Sequence, residues 1–424
     1  MLDIKFIREN PELIKENAQK RLIKVDVERL LVLDEERRKL TVEAESMRAT
    51  QNRASEEISK EKDAALRQPK IAEMKELKAK LVQAQEKLAE AEKEFNALML
   101  TVPNIIQPGT PIGKSSDDNV VLREVGEKPD FNFTPRDYMD VAKNLGIIDT
   151  DRAARVSGSR FGYLIGAAAM LEFALIQLAA KTLMKKGFVP VVPPVMVKPE
   201  AMQGMGYIDT EEEKEERYYF EKDNLYLVGT SEQSIGPMHM NEVLDVENLP
   251  VRYFGFSSCF RREAGSYGKD TKGILRVHQF DKVEMFSYVK PENSAAEHQL
   301  ILSLEEELMQ ALDLPYRVMQ LCSADFARPS SATFDIETWM PGQNQYRETH
   351  SCSNCTDYQA RRLNIRYKNP ATGKLEFVHA LNGTAFAIGR TIIAIIENCQ
   401  QKDGRVKIPK ALRDYCGMKY IEKK

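Results

Sequence analysis

The residues best suited to chemistry lie in 259–286, CFRREAGSYGKDTKGILRVHQFDKVEMF, where charges recur at alternate positions on both sides of a glycine-rich polar loop. In an extended strand, residues i and i+2 share a face. The alternation therefore predicts a β-hairpin in which Arg261 and Glu263 point one way from its first segment. On its second segment Arg276, His278, Phe280, Lys282 and Glu284 share a face, with Val277, Val283 and Met285 behind them as apolar anchors. Arginine's planar fork matches phosphate and carboxylate oxygens, a phenyl ring stacks on a base, and a carboxylate holds an ammonium group. Such a surface suits a phosphorylated nucleotide together with a small zwitterion. The competing reading is an exposed hairpin whose charges pair across strands for about 0.2–1 kcal/mol each.

Three further stretches carry groups of the same kind. In LVGTSEQ a strand ends in Thr230, Ser231 and Glu232, which places a hydroxyl and a carboxylate two residues apart, although Thr-x-Glu also caps helices. In YRETHSCSN, Glu348 and Ser351 offer hard oxygen ligands fit for Mg²⁺. The adjacent Cys352-x-x-Cys355 lacks the second ligand pair that a zinc site needs, so buried thiols are expected. In LNGTAFAIGRTIIAIIEN, Thr384 and Arg390 precede an apolar helix. A cation at a helix amino terminus opposes the dipole, so Arg390 implies either an anionic ligand or a structural ion pair.

These groups need a scaffold. A chain of 424 residues with 42% hydrophobic residues is ample for two or three domains and a large core. A net charge of −3 excludes a protein that coats nucleic acid non-specifically, so any RNA must meet a local patch. Six cysteines in so long a chain do not form a disulfide framework, and a reducing cytoplasm is expected. Asp3, Lys5, Arg8 and Glu9 stand where an export signal needs an apolar core, so none is expected. The most apolar segment, 163–180, is interrupted by Glu172 and Gln177; it predicts a buried or interface helix rather than a membrane span.

Along the chain, a short helical lead-in with Pro11 near a helix start reaches about residue 26. Leu30, Leu33, Arg37, Leu40, Ala44, Met47, Gln51, Ala54 and Ile58 then alternate spacings of three and four. After a break expected around Pro69, the rhythm returns as Leu77, Leu81, Ala84, Leu88, Ala91, Phe95 and Leu98. Two heptad helices joined by a turn predict an antiparallel coiled-coil arm over about 28–100. The proline- and glycine-rich segment 101–113 is the natural linker, which divides the chain into 1–103 and 104–424. Beyond it, short strands, turns and helices predict an α+β body on an antiparallel sheet. The helix expected over 161–186 leads into GFVPVVPPVMV, whose prolines place that strand at an edge or interface.

Taken together the stretches resemble a known family. The hairpin resembles motif 2 of the class II aminoacyl-tRNA synthetases in its seryl-tRNA synthetase form, bacterial or organellar type; LNGTAFAIGR resembles motif 3, and the helix ending in VPVVPPVMV resembles motif 1. The three ordered motifs and the arm cover nearly the whole chain. The resemblance implies a class II catalytic domain with an antiparallel sheet, a homodimer through motif 1, and a ligase that makes seryl-adenylate from ATP and L-serine. The seryl group then passes to the 3′ end of tRNA(Ser), with tRNA(Sec) a further possible acceptor.

The resemblance also implies roles. Arg261, Glu348 and Arg390 are the catalytic set. Arg261, Arg262, Glu263, Arg276, Val277, Phe280, Glu348, Thr349, His350, Ser351 and Arg390 form the ATP site. Within it Arg261 contacts the α-phosphate, Glu263 the adenine amino group and Arg276 the terminal phosphates, while Phe280 and Arg390 sandwich the ring. Thr230, Ser231, Glu232, Arg261, Glu284 and Thr384 surround serine, and Glu348 and Ser351 hold Mg²⁺ through ATP. The arm meets the long variable arm of tRNA(Ser) through shape and backbone, and the loop 264–274 meets the acceptor end. Three positions depart from the family's usual pattern: His350 and Thr384 replace serines, and Arg262 replaces a small residue. Strand alternation turns the Arg262 side chain away from ATP, whereas imidazole is a poor Mg²⁺ ligand, so His350 either stands beside the phosphates or points outward. Two other functions fit the same features: activation of a small amino acid for a protein or carrier acceptor, and an inactive paralogue binding RNA or protein through its arm.

Overall fold

The computed structural model describes residues 1–264 and 272–423. The chain divides into two compact units, Leu2–Pro103 and a second that starts at Asn104 and includes Met1. In the first unit the helices α1 (Ile4–Glu9) and α2 (Pro11–Lys20) lead in, with Pro11 at the first position of α2. There its missing N–H costs nothing. The long helices α3 (Val27–Lys60) and α4 (Ala64–Thr101) then form the antiparallel arm.

Leu30, Leu33 and Ala44 of α3 and Leu81, Ala84, Ala91, Phe95 and Met99 of α4 are buried along the seam. The polar seam position Arg37 is accommodated because its guanidinium lies 4.5 Å over the Phe95 ring. The turn falls at residues 61–63, ahead of Pro69, which lies inside α4. Asp63 sets that boundary, since its side chain accepts the Ala65 N–H and caps the helix. The cap starts the helix before the proline can end the preceding one.

The second unit is α+β. In chain order its main sheet contains β1 (Val120–Val125), β2 (Val189–Val191), β3 (Val251–Phe260), β4 (Gln279–Val289), β5 (Tyr316–Gln320), β6 (Ala332–Met340), β7 (Gln345–Asn354) and β8 (His379–Ala387). Their spatial order is β1-β5-β6-β7-β8-β4-β3-β2. All neighbours are antiparallel except β2, which pairs parallel with β3 at the edge. Pro190 can sit there because an edge strand has one side without a ladder.

The helix α5 (Ala167–Met184) begins six residues later than the sequence pattern predicts, because Gly166 at φ 55° forms its boundary. It buries Leu171, Leu175, Leu178 and Leu183, and leaves Phe173 53% and Met184 52% exposed. The helices α6 (Ser294–Ala311) and α7 (Ile388–Cys399) pack on the sheet. Ile392, Ile393, Ile395 and Ile396 of α7 are fully buried, each worth roughly 1.5–3 kcal/mol. Gly383 explains the glycine of the LNGT segment: a Cβ there would lie 2.2 Å from Ile301 Cγ2 of α6. Only a residue without a side chain lets that helix sit so close to β8.

Candidate active site

A cavity of about 470 Å³ opens over β4, β7 and β8. The central hairpin is shorter than the charge alternation predicts. β3 ends at Phe260 and β4 begins at Gln279, so Arg261, Glu263, Arg276 and His278 lie beyond the ladder. One further rung joins them, the Arg261 N–H donating to His278 O at 3.0 Å. Glu263 adopts φ 53°, which breaks strand geometry and lets its carboxylate meet Arg276 Nε at 3.2 Å. Arg261 donates from Nε to Gly229 O at 3.2 Å, and its guanidinium lies 5.2 Å from the centre of the Phe280 ring. Glu263, Arg276, Val277 and Phe280 all line the cavity. His278 does not share their face: it packs on Phe161 with ring centres 5.4 Å apart, because period-two alternation fails outside the ladder.

On β4 proper, Phe280, Lys282 and Glu284 do share one face and line the cavity. Glu284 opposes Thr384 of β8 in register, and the Thr384 hydroxyl donates to its Oε2 at 3.3 Å. Burial pushes the Glu284 carboxyl up to about 7, against the pull of Lys282, whose ammonium contacts it. Thr230 and Glu232 face the same end of the cavity from the turn after the strand Leu225–Leu227 and the start of the short helix Glu232–Ile235. Ser231, between them, faces the other way and donates to Gly255 O at 3.3 Å. It is withdrawn from the substrate-facing set, because turning into the helix aims its side chain at β3.

The placement of Glu348 and Ser351 is the least expected feature. Residues three apart on a regular strand face opposite sides. A register shift lets Ile336 and Glu337 of β6 face His350 and Glu348, so Thr349 is an extra residue in β7. This bulge restores both Glu348 and Ser351 to the cavity wall. The Arg390 guanidinium holds Glu348 through its backbone carbonyl at 2.9 Å and its Oε2 at 3.2 Å. Burial raises the Glu348 carboxyl, but Arg390 and Arg261 outweigh it and hold the group below the usual carboxylate range.

Thr349 borders the cavity, with its hydroxyl tied to Thr338 at 2.7 Å. His350 is turned into the core. Its ring nitrogens meet Thr349 Oγ1 at 2.9 Å and Ala385 O at 3.0 Å, and burial lowers it to about 4. A neutral, 1% exposed imidazole facing Phe386 is neither beside the phosphates nor outward, so His350 leaves the ATP set. Arg262 leaves it too: its guanidinium lies 5.9 Å over Tyr218, outside the cavity. Most of the loop expected to meet the tRNA acceptor end, 265–271, lies outside the described residues.

Cys352 and Cys355 are buried thiols, as expected. Sequence reasoning missed Asp335 of β6, which lines the cavity opposite Ser351. Burial and then Glu348 push its carboxyl well above the ordinary value. Its Oδ1 is buried and has no hydrogen-bond partner among the described residues. The alternation in ATFDIETWM could have flagged it, but nothing in the sequence says which face of that strand meets the cavity. It also missed Tyr207, which lines the same cavity.

Comparison with known proteins fits this geometry. Residues 218–399 match the tRNA synthetase class II core domain (G, H, P, S and T), and residues 1–106 match the seryl-tRNA synthetase N-terminal domain. The serine–tRNA ligase of Dictyoglomus turgidum is 45% identical over 427 residues, covering 100% of both chains.

The chain belongs to the seryl-tRNA synthetase family.

Another family member, the serine–tRNA ligase of Rhodococcus jostii, is 45% identical over 98% of this chain and 99% of its own. The crystal structure of seryl-tRNA synthetase from Pyrococcus horikoshii complexed with ATP superposes with a TM-score of 0.90 at 41% identity, covering 100% of each chain. The three motif resemblances of the sequence thus fall within a full-length relationship. Membership makes the chain an aminoacyl-tRNA ligase.

One consequence of the site's electrostatics is measurable. An ionised Glu284 offers charge-assisted acceptors to an ammonium or hydroxyl group, whereas the protonated acid is a weaker acceptor and carries a donor. Its carboxyl is raised to about 7, so the ionised fraction grows as pH rises through that value. The KM for serine is expected to fall by about tenfold between pH 6 and pH 8, following the ionised fraction, and the Glu284→Gln profile to be flat over that range. An equally sloped profile in the variant would assign the titration elsewhere.

Proposed function

We propose that this cavity performs the first half of the serine–tRNA ligase reaction, in which ATP and L-serine give seryl-adenylate and pyrophosphate. Transfer of the seryl group to tRNA follows. The carrying observation is that one cavity joins an arginine–phenyl platform, Arg261 with Phe280, to a cluster of small hydroxyls and carboxylates, Thr230, Glu232, Glu284 and Thr384. The first suits a nucleotide and the second a small amino acid with a hydroxyl.

Adenylate formation is an in-line displacement at phosphorus that needs fixed positive charge more than an acid or base. Arg261 is assigned to the α-phosphate and serine carboxylate, Glu263 and the Phe280–Arg390 pair to adenine, and Arg276 to the terminal phosphates. Val277 and Thr349 shape the wall. Glu232, Glu284, Thr230 and Thr384 are assigned to serine. Losing the serine hydroxyl would leave buried partners unpaired, at about 1–3 kcal/mol per group, which rejects alanine. Glu348 and Ser351 would hold Mg²⁺, and Asp335 Oδ1 beside them, without a hydrogen-bond partner among the described residues, fits a nearby cation. Bound there, Mg²⁺ would offset the negative charge of the phosphate oxygens.

The finer assignments are also proposals. Residues 1–103 form the tRNA-binding domain, with tRNA(Ser) as acceptor; tRNA(Sec) is a possible second one. A homodimer forms through motif 1, supported by the exposed Phe173, Val189 and Val192. Location in the cytoplasm is supported by the cysteine content, six in 424 residues, which does not make a disulfide framework. Serine-dependent ATP/pyrophosphate exchange tests the central assignment. Exchange is expected with serine, absent with alanine, and lost on chelating Mg²⁺; no exchange above background would leave the inactive-paralogue alternative standing. Transfer to tRNA(Ser) would exclude a protein or carrier acceptor.

A further inference from the structure

Tyr207 lines the amino-acid end of the cavity, and its phenolic hydroxyl donates to Glu232 Oε1. Glu232 is 4% exposed, so a misplaced oxygen could not turn to solvent for compensation. Burial, and then the negative Glu232, push the Tyr207 hydroxyl well above its usual value. It therefore remains a donor throughout the working pH range.

Three contacts fix the ring itself. The Arg217 guanidinium lies 5.2 Å over its face. Tyr207 also packs against two apolar clusters, one containing Val197, Met202 and Val228 and the other containing Met205 and Ile235. The hydroxyl is thus held by its own packing, independently of any ligand. The Thr230 Oγ1 accepts from the Glu232 backbone N–H at 3.4 Å, which ties the two residues together through the main chain.

We propose that Tyr207 is a positioning residue for amino-acid recognition, holding one oxygen of Glu232 so that the other faces the ammonium group of the bound amino acid. This rests on the assignment of Glu232 to serine above. A carboxylate with one oxygen satisfied by a rigid neutral donor has one rotamer and one free acceptor direction. A cationic or mobile donor would compete with the ammonium or leave the acceptor undirected.

The test measures serine-dependent ATP/pyrophosphate exchange for Tyr207→Phe and Glu232→Gln, together with inhibition by glycerate, which is serine with its ammonium replaced by a hydroxyl. In Tyr207→Phe the KM for serine is expected to rise about tenfold, as for the loss of one hydrogen bond to a charged group. The KM for ATP, kcat and the inhibition constant of glycerate are expected to stay within about twofold. Weakening of serine and glycerate alike, or a raised KM for ATP, would make Tyr207 a general structural residue and overturn the proposal. If Glu232→Gln raises the serine KM while Tyr207→Phe does not, the Tyr207 proposal alone falls. If Glu232→Gln leaves the serine KM unchanged, the assignment beneath it falls first.

Discussion

Arg261→Ala is expected to lower serine-dependent ATP/pyrophosphate exchange by about 10³-fold, through kcat more than through either KM. Its guanidinium is poised between the Phe280 ring and Gly229 O, at the junction of the nucleotide and amino-acid ends of the cavity. In the proposed assignment, charge develops there on the α-phosphate oxygens in the transition state, and a fixed cation stabilises that state more than the bound substrates. Arg261→Lys should recover only a small part of the loss, because a point charge cannot reproduce the planar fork that bridges phosphate and carboxylate. The folded state should tolerate either change, since the side chain is only partly buried and its described hydrogen bond is to a single carbonyl. Thermal unfolding measured alongside exchange separates the two effects. A loss of less than about tenfold, with the fold intact, would remove Arg261 from the catalytic set.

The second large effect concerns the arm. Shortening it by deleting residues 45–83 and joining the helices through a glycine-rich turn keeps Leu30, Leu33, Phe95 and Met99 in their packing. The residues lining the cavity all lie in the other compact unit. Pyrophosphate exchange is therefore expected to stay within about threefold of the full chain. Charging of tRNA(Ser) should fall on the order of 10³-fold, the equivalent of about 4 kcal/mol of lost tRNA binding. An equal fall in both activities of a folded protein would refute the division of labour between the units. Unchanged charging would refute tRNA binding by the arm.

Some elements were legible because their signal is local. The spacing of Leu30, Leu33 and Ala44 and of Leu81, Ala84 and Phe95 fixes a helical seam whatever the remainder of the chain does, since the helical period depends only on neighbours in sequence. Pro190 marked an edge strand for the equally local reason that it has no N–H to give. Around Pro69 the same reasoning misplaced the turn, because a cap six residues earlier outweighed the proline. The arm's existence was therefore clearer than its tip.

At the site, residue types were legible and directions were not. Arg261, Glu284, Glu348, Thr384 and Arg390 stand out in the sequence as groups for phosphate and amine chemistry. Ser231 and His350 had the same apparent claim, and only the fold turns them elsewhere; alternation already turned Arg262 away, and its guanidinium lies over Tyr218. Glu348 and Ser351 face one cavity only because Thr349 is an extra residue against β6, a property of how two strands register. Asp335 and Tyr207 are distant in sequence from the motifs they support.

The sequence by itself determined the helical arm, the α+β body and the chemical kinds of group at the site, because composition and period act over short range. Only the tertiary structure decided which of those groups meet. Strand pairing, a bulge and the packing of one helix against Gly383 bring together residues up to 183 positions apart, from Tyr207 to Arg390. Such long-range contacts leave no pattern in the residues between them.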